Sequence, residues 1–264
     1  MLKLDNFFSI LDKFAPIELS HKLIEKGDYD NSGIIVKNNT EINRVLFSLD
    51  LSEKAVKEAK RLKCDTVVTH HPAIYKPIGN ISVDDVKTNA LLKAIKLGLN
   101  VISMHLNLDI SDGGIDASLC KALGGEKFKI LDNLDEKNGY GREFEINNLT
   151  LETLIKNLKK NLKTTKIVVY GKRKNLLKKG ASFCGAGSGY AEKFLLEGKL
   201  NADVVITSDM PHHVILELVE SGKAVVLITH YSSENYGFFN YYNKVKEATK
   251  NKIDTYYFED KRFL

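Results

Sequence analysis

The amino-acid sequence predicts an α/β protein made of two repeats of a three-layer α/β/α unit, with mixed, largely parallel sheets. Three observations carry this. Short apolar runs alternate with amphipathic stretches of helical period, and each connection is long enough for a crossover. The strand candidates, such as Thr66-Val67-Val68, are continuous apolar runs, as strands buried on both faces require. The order of elements in the first half also recurs in the second.

A chain of 264 residues holds one large domain or two small ones and buries a full core without staples. Its composition, 43% apolar and 28% charged, is that of an ordinary globular chain. Cys64, Cys120 and Cys184 are odd in number, far apart and free of CxxC spacing. That argues against a disulfide framework or a cysteine zinc site, and for a reducing cytoplasm. The opening MLKLDNFFSILDKF mixes acidic with apolar residues, so it reads as an amphipathic helix and not a signal peptide. No apolar run reaches the ~18 residues of a membrane span. Most of the mild +5 net charge lies between Lys156 and Lys179, either a solvated lysine face or a surface for phosphate or nucleic acid.

Taken in order, residues 4–26 have helical spacing broken near Pro16, which predicts two short helices. The turn-rich GDYDNSG (27–33) precedes a strand at Ile34–Val36, and Lys37–Thr40 reads as a hairpin-like turn before a strand at Val45–Asp50. Ser52 caps a helix through Ala55, Val56, Ala59 and Leu62, with Glu53 in its first turn. The strand Thr66–Val68 runs into Thr69-His70-His71-Pro72, and residues 73–83 form a loop. A helix from Asp84 or Asp85 passes Leu91, Leu92, Ile95 and Leu97 to a Gly98 cap, and the strand Val101–Met104 then ends at His105. LNLDISDGGID (106–116) reads as a loop into a helix at 116–123, closed by Gly124-Gly125.

Between 126 and 150, strand-like pieces flank a glycine loop, Gly139–Arg142. Leu151–Leu162 is an amphipathic helix, Lys166–Tyr170 a strand and Gly171–Asn175 a basic turn. The strand Ala181–Cys184 opens into Gly185–Gly189, followed by a helix to about Leu200. A strand at Asp203–Thr207, a helix from Pro211 to Glu220 capped by Gly222, and a strand at Val225–Thr229 ending at His230 come next. A tyrosine-rich helix and a short strand at Thr255–Phe258 follow.

The repeats are residues 1–126 and 127–264. Each runs strand, helix, an Asp-led apolar strand, a helix ending in glycine (Gly98 or Gly222), and an apolar strand ending in histidine (His105 or His230). A carboxylate stands four residues after each of these histidines, Asp109 in one and Glu234 in the other. A pseudo-twofold arrangement would turn the equivalent strand ends toward one shared cleft, where open α/β sheets bind ligands.

The chain has seven His, and six fall in short segments of this kind. His70, His71, Asp109, His230 and Glu234 form a donor set suited to two first-row divalent ions: Zn, Mn, Fe, Co or Ni. Adjacent residues of an extended chain point opposite ways, so His70 and His71 can reach separate ions, and Pro72 stiffens the pair. Four positive charges against two carboxylates favour a bridging hydroxide and an anionic substrate. His105 either ligates or supports a ligand from behind; we place it behind the ligands or on the substrate side, where it assists proton transfer.

The motifs DNSG (30–33), THHP (69–72), HLNLD (105–109), GYGR (139–142), CGAGSG (184–189) and HYSSE (230–234) stand in one order along the chain. In these the sequence resembles the Nif-three-like family, which carries the label GTP cyclohydrolase I type 2. HLNLD is similar to its H-T-N-L-D, with Leu106 for Thr. The resemblance implies a dinuclear centre with the same five ligands, two interlinked repeats, and a ring-shaped homohexamer whose metal sites face an internal cavity. Tyr29 stands where the family often has Trp, and Ser208-Asp209 where it often has Gly-Glu; these departures bear on substrate detail. The function expected is a metal-dependent hydrolase acting on a nucleotide-like or other anionic small molecule through a metal-bound hydroxide. The alternative is a non-catalytic, metal-stabilised binding or regulatory protein that contacts nucleic acid through its lysines.

Other features of the sequence carry weaker signals. Gly185–Gly189 is either an anion-binding loop or a tight turn. Arg142 faces either a carboxylate or an anionic substrate, and His212-His213 either the surface or a substrate. Ser188 has no base and orienting partner to make it a nucleophile, and the Phe- and Tyr-rich 236–242 is packing or interface.

Overall fold

Ser52 and Thr150 show how local chemistry sets the elements: each side-chain oxygen accepts the backbone N–H three residues on, from Ala55 (3.2 Å) and Thr153 (3.2 Å), and so starts a helix. The computed structural model describes residues 1–125, 127–171 and 176–264. Along them run β1 (Leu2–Lys3), α1 (Leu4–Phe14), α2 (Ile17–Glu25), β2 (Gly33–Val36), β3 (Glu41–Ile42), β4 (Arg44–Ser48), α3 (Glu53–Arg61), β5 (Thr66–Thr69), α4 (Val86–Lys96) and β6 (Asn100–Ser103). Then come α5 (Leu106–Ile110), α6 (Ile115–Ala122), β7 (Phe128–Asn133), β8 (Gly139–Leu149), α7 (Leu151–Leu162), β9 (Ile167–Tyr170) and β10 (Leu177–Ser182). The rest is α8 (Ser188–Leu196), β11 (Val204–Thr207), α9 (His212–Glu220), β12 (Ala224–Ile228), α10 (His230–Ala248) and β13 (Asp254–Phe258). The expected mixed α/β fold with largely parallel sheets is what is observed.

The chain forms two compact units. The first comprises Met1–Leu108 and Phe238–Asp260, the second Asp109–Gly237 and Lys261–Leu264.

In the first unit a sheet of order β13-β4-β5-β6-β2 has its first four strands parallel and β2 antiparallel at the edge. One face carries Leu46, Val67 and Val101 against Val56 and Ala59 of α3 and Ala90 and Ala94 of α4. On the other, Phe47 meets Phe238, Tyr241 and Tyr242 of α10. Successive strand residues point to opposite faces, so Leu46 and Phe47 serve different layers.

In the second unit the order is β7-β8-β10-β11-β12-β9, with β10, β11 and β12 parallel and the others antiparallel to their neighbours. Ala181, Val205 and Val225 pack with Ala191 and Phe194 of α8 and Val214 and Leu218 of α9. α6 contacts β8, β10 and α7.

The repeat is explicit in the ladders: β4-β5-β6-β2 and β10-β11-β12-β9 have the same order and the same directions. One aspartate anchors each. Asp65 Oδ2 accepts from the N–H groups of Asn43 (2.6 Å) and Arg44 (3.0 Å), and Asp203 Oδ2 from Lys178 (2.9 Å) and Lys179 (3.1 Å).

Some expectations need revision. Residues 37–40 close no hairpin, because β2 pairs with β6 and not with β4; the N–H groups of Asn38 and Asn39 instead bond Asn100 Oδ1 at 2.8 and 2.9 Å. The stretch after His105 is not all loop, since α5 gives it a helical turn. Gly139–Arg142 lies inside β8, where Gly141 (φ 72°) lets the backbone deviate without a Cβ clash against Phe183. The basic turn 171–175 falls outside the described residues from 172 on. No helix among the described residues is long and apolar enough to cross a membrane.

Candidate metal centre

In the first unit the end of β4 fixes the chain after β5. The N–H groups of His70 and His71 both donate to Leu49 O, at 3.1 and 3.0 Å. Their rings are held as firmly. His70 Nδ1 lies 2.8 Å from Met104 O, and His71 Nδ1 lies 2.7 Å from Asp50 Oδ1. A carbonyl only accepts, so His70 Nδ1 carries the proton and Nε2 carries the lone pair.

His105 follows the same rule. Its Nδ1 is 2.7 Å from Asp30 Oδ1, and its backbone N–H donates to Ser32 Oγ (3.0 Å). Asp30 is buried and accepts from Ser20 Oγ (2.5 Å) and Ser32 Oγ (2.6 Å). Burial pushes its carboxyl up, but the His105 hydrogen bond and charge, with both hydroxyls, outweigh burial and hold it below the usual carboxylate range. The His70 ring centroid is 4.8 Å from that of His71 and 5.2 Å from that of His105. The three histidines offer ligand atoms that all lie within 4.8 Å of one another. Three imidazoles with Nδ1 engaged and Nε2 donating are suited to a divalent ion.

In the second unit β12 leads straight into α10, whose first residue is His230. Glu234 stands one turn later on the same face, with Oε1 3.0 Å from His230 Nε2. His230 Nδ1 bonds Asp209, whose φ of 45° is one that Asp tolerates better than most residues. Ser233 Oγ donates to His230 O (2.7 Å) and accepts from Gly185 N (2.9 Å).

Behind these donors lies a buried ion pair. Arg142 Nη1 donates to Asp116 Oδ2 (2.8 Å), and Asp116 Oδ1 accepts from Cys184 N (3.1 Å). Burial pushes the Asp116 carboxyl up to about 6, against the lowering by Arg142. Cys184 Sγ donates to Asp109 Oδ1 at 3.5 Å. Burial, and then the charges of Asp109, Asp116 and Glu234, hold the Cys184 thiol well above its usual range, so it is a protonated donor here.

Gly185 explains part of the glycine-rich motif. A Cβ there would stand 2.4 Å from Glu234 Oε1, and φ is 56°. The loop therefore makes room for a carboxylate. Its first backbone N–H groups go to Asp116 and Ser233, which favours the tight-turn reading over an anion cradle. Arg142 takes the carboxylate alternative. His212 and His213 are exposed at the start of α9, with His213 Nε2 3.9 Å from Glu192.

Of the expected residues, His70, His71 and His105 come together in the first unit, and His230 pairs with Glu234 in the second, where Asp109 sits on Cys184. The orienting carboxylates Asp30, Asp50 and Asp209, and the buried Asp116, were not singled out by sequence reasoning. Asp30 had a signal, since it opens DNSG. Asp209 had one too: aligning Asp65 with Asp203 places it opposite His71.

Comparison with known proteins fits this architecture. A Clostridium perfringens protein named GTP cyclohydrolase 1 type 2 homolog is 30% identical over 258 residues, covering 96% of this chain and 94% of its own. The NGG1-interacting factor 3 of Saccharomyces cerevisiae is 27% identical over 257 residues, covering 88% and 86%. The crystal structure of a Bacillus cereus protein related to NIF3 has the same fold, with a TM-score of 0.85 at 18% identity over 98% of this chain and 97% of that one. The family pattern of Duf34/NIF3 (NGG1p interacting factor 3) matches residues 2–262, and the chain belongs to that family.

Proposed function

We propose that the protein is a metal-dependent hydrolase, in which His70, His71, Asp109, His230 and Glu234 hold two divalent ions in a cleft shared by the repeats 1–126 and 127–264. The observation that supports this best is the uniform presentation of the histidines. His70, His71, His105 and His230 each engage Nδ1 with a carbonyl or carboxylate, which directs Nε2 toward a ligand. Core histidines that merely satisfy hydrogen bonds have no reason to share that orientation. The name of the Clostridium perfringens relative points the same way.

When bound, such ions supply Lewis acidity toward water and toward a carbonyl or phosphate oxygen. The chain's own residues do the rest. Asp50 and Asp209 hold His71 and His230 in their tautomers, and Cys184 holds the Asp109 carboxylate in one rotamer. His105, fixed by Asp30, carries a proton between substrate and solvent at Nε2. The substrate is a nucleotide-like or other anionic small molecule, the protein works in the cytoplasm, and six copies assemble.

Metal restoration tests the reading. Protein stripped by a chelator and reloaded with Zn, Mn, Fe, Co or Ni should hydrolyse at least one member of a nucleotide and phosphoester panel, and His105→Ala should abolish turnover while keeping its metal. No turnover with any ion would reject the catalytic part. Light scattering checks the hexamer.

A second reading rests on Lys156, Lys159, Lys160, Lys163 and Lys166, all exposed along and after α7. They would make the protein a metal-stabilised binder of nucleic acid. Binding of that kind weakens steeply with salt, and flat or absent DNA binding at low salt rejects it.

A further inference from the structure

The DNSG loop does more than hold His105. Asn31 Nδ2 donates to Ile74 O (2.6 Å), which ties it to the chain just past Pro72. Tyr75 Oη donates to Tyr29 O (3.3 Å) across the same two loops. The Tyr75 ring stands edge-on to Tyr29, with centroids 5.2 Å apart at 85°, and edge-on to His105, at 5.8 Å and 81°. An unbroken series of rings thus leads from Tyr29 through Tyr75 and His105 to His70 and His71.

The outer members of this series face solvent. Tyr29 is 46% exposed and Tyr75 43%, whereas Phe7, Phe47 and Phe238 of the same unit are fully buried. Two aromatic rings pinned by hydrogen bonds and ring contacts, yet left open, contribute little to the core. They offer instead a rigid contact surface that loses little side-chain entropy when something lies on it. The 5.8 Å from Tyr75 to His105 is about one ring's width, so a ring resting on Tyr75 keeps its substituents within reach of His105.

We propose that the Tyr75 ring, braced by the perpendicular Tyr29 ring, forms a stacking platform for the planar heteroaromatic ring of the anionic substrate, holding its reactive end at His70, His71 and His105. The position of the reactive end rests on the metal-centre reading; the platform itself rests on the rings. Stacking of this kind is worth roughly 5- to 150-fold in affinity per ring.

The test is calorimetric titration of metal-free and metal-loaded protein with guanosine 5′-monophosphate and with ribose 5-phosphate, which lacks the ring. Wild type should bind the nucleotide at least about tenfold more tightly than the sugar phosphate. Tyr75→Ala should erase that preference and leave ribose 5-phosphate binding unchanged. Tyr75→Phe should keep most of it, and Tyr29→Ala should reduce it. Light scattering should give one assembly mass for all four proteins. The proposal fails if wild type shows no preference for the nucleotide, if the preference survives Tyr75→Ala, or if Tyr75→Ala changes the assembly mass, which would make the rings a contact between copies. A wrong metal assignment shows separately, as unchanged metal content in folded His70→Ala.

Discussion

The two units carry one scaffold and different ends. Both place parallel strands, four in the first unit and three in the second, beside an antiparallel edge strand, and in both an aspartate just before the second repeat strand, Asp65 or Asp203, holds N–H groups at the start of the strand beside it. After β5 the first unit continues into His70 and His71. After β11 the second continues into Ser208 and Asp209. At the position where the first unit offers an imidazole, the second offers the carboxylate that orients one, because Asp209 bonds His230. The first unit recruits its orienting carboxylates elsewhere: Asp50 from the end of β4 for His71, and Asp30 from the loop before β2 for His105. A repeated framework thus fixes where strand ends lie, while two residues past each end decide whether it carries a candidate metal donor or a carboxylate that orients one.

The heaviest loss of stability is expected at the buried ion pair of the second unit. Arg142→Ala strands the fully buried Asp116 carboxylate and should cost about 3–5 kcal/mol in denaturant unfolding. Arg61→Ala, which removes a solvent-screened surface ion pair with Glu58, should leave the unfolding midpoint close to that of wild type. An Arg142 variant as stable as wild type would show that the pair does not support this side of the fold.

Gly185→Ala comes next. The left-handed backbone costs about 1–2 kcal/mol, and the new methyl meets the Glu234 carboxylate. Metal affinity should fall, while a glycine without crowding, such as Gly98, should tolerate alanine at the backbone cost alone. Equal effects at both positions would remove the carboxylate-clearance role.

Removing the orienting groups should matter less. Asp50→Ala and Asp209→Ala should each weaken metal binding by roughly 10- to 100-fold without unfolding the protein. Equal losses would mean that the orienting groups of the two units are equivalent despite their different origins.

The smallest effect is on pH dependence, where the buried aspartates differ in sign. Asp30 titrates below its usual 3.8, so the stability it contributes is present above that value and is lost as pH falls through its lower folded pKa. Asp116 is raised to about 6, so the folded chain binds more protons than the unfolded chain between 3.8 and 6, and stability falls as pH rises across that window. Asp30→Asn should flatten the acid limb, and Asp116→Asn the limb between pH 4 and 6, in unfolding free energies measured against pH.

Much of this was legible in the sequence. The apolar runs at Thr66–Thr69 and Val204–Thr207 identified the central strands, and Pro16 divided α1 from α2, because burial and backbone restriction act locally. The β2 pairing was not legible, since an edge strand's partner depends on which neighbour is open and not on its own residues. The candidate donors His70, His71, His230 and Glu234 stood out because they follow closely on apolar strand runs. Their supports did not, because Asp30, Asp50 and Asp209 resemble ordinary turn aspartates until their distances to Nδ1 are known. The Arg142–Asp116 pair joins residues 26 apart in sequence, and nothing in either neighbourhood marks it as buried.

We propose that His70, His71, Asp109, His230 and Glu234 hold two ions per chain. Elemental analysis of purified, folded wild type, His70→Ala, Glu234→Ala and the surface variant His213→Ala tests it most directly. Wild type and His213→Ala should each hold about two divalent ions, and both His70→Ala and Glu234→Ala should show a clear loss. Full metal content in folded His70→Ala and Glu234→Ala would contradict it.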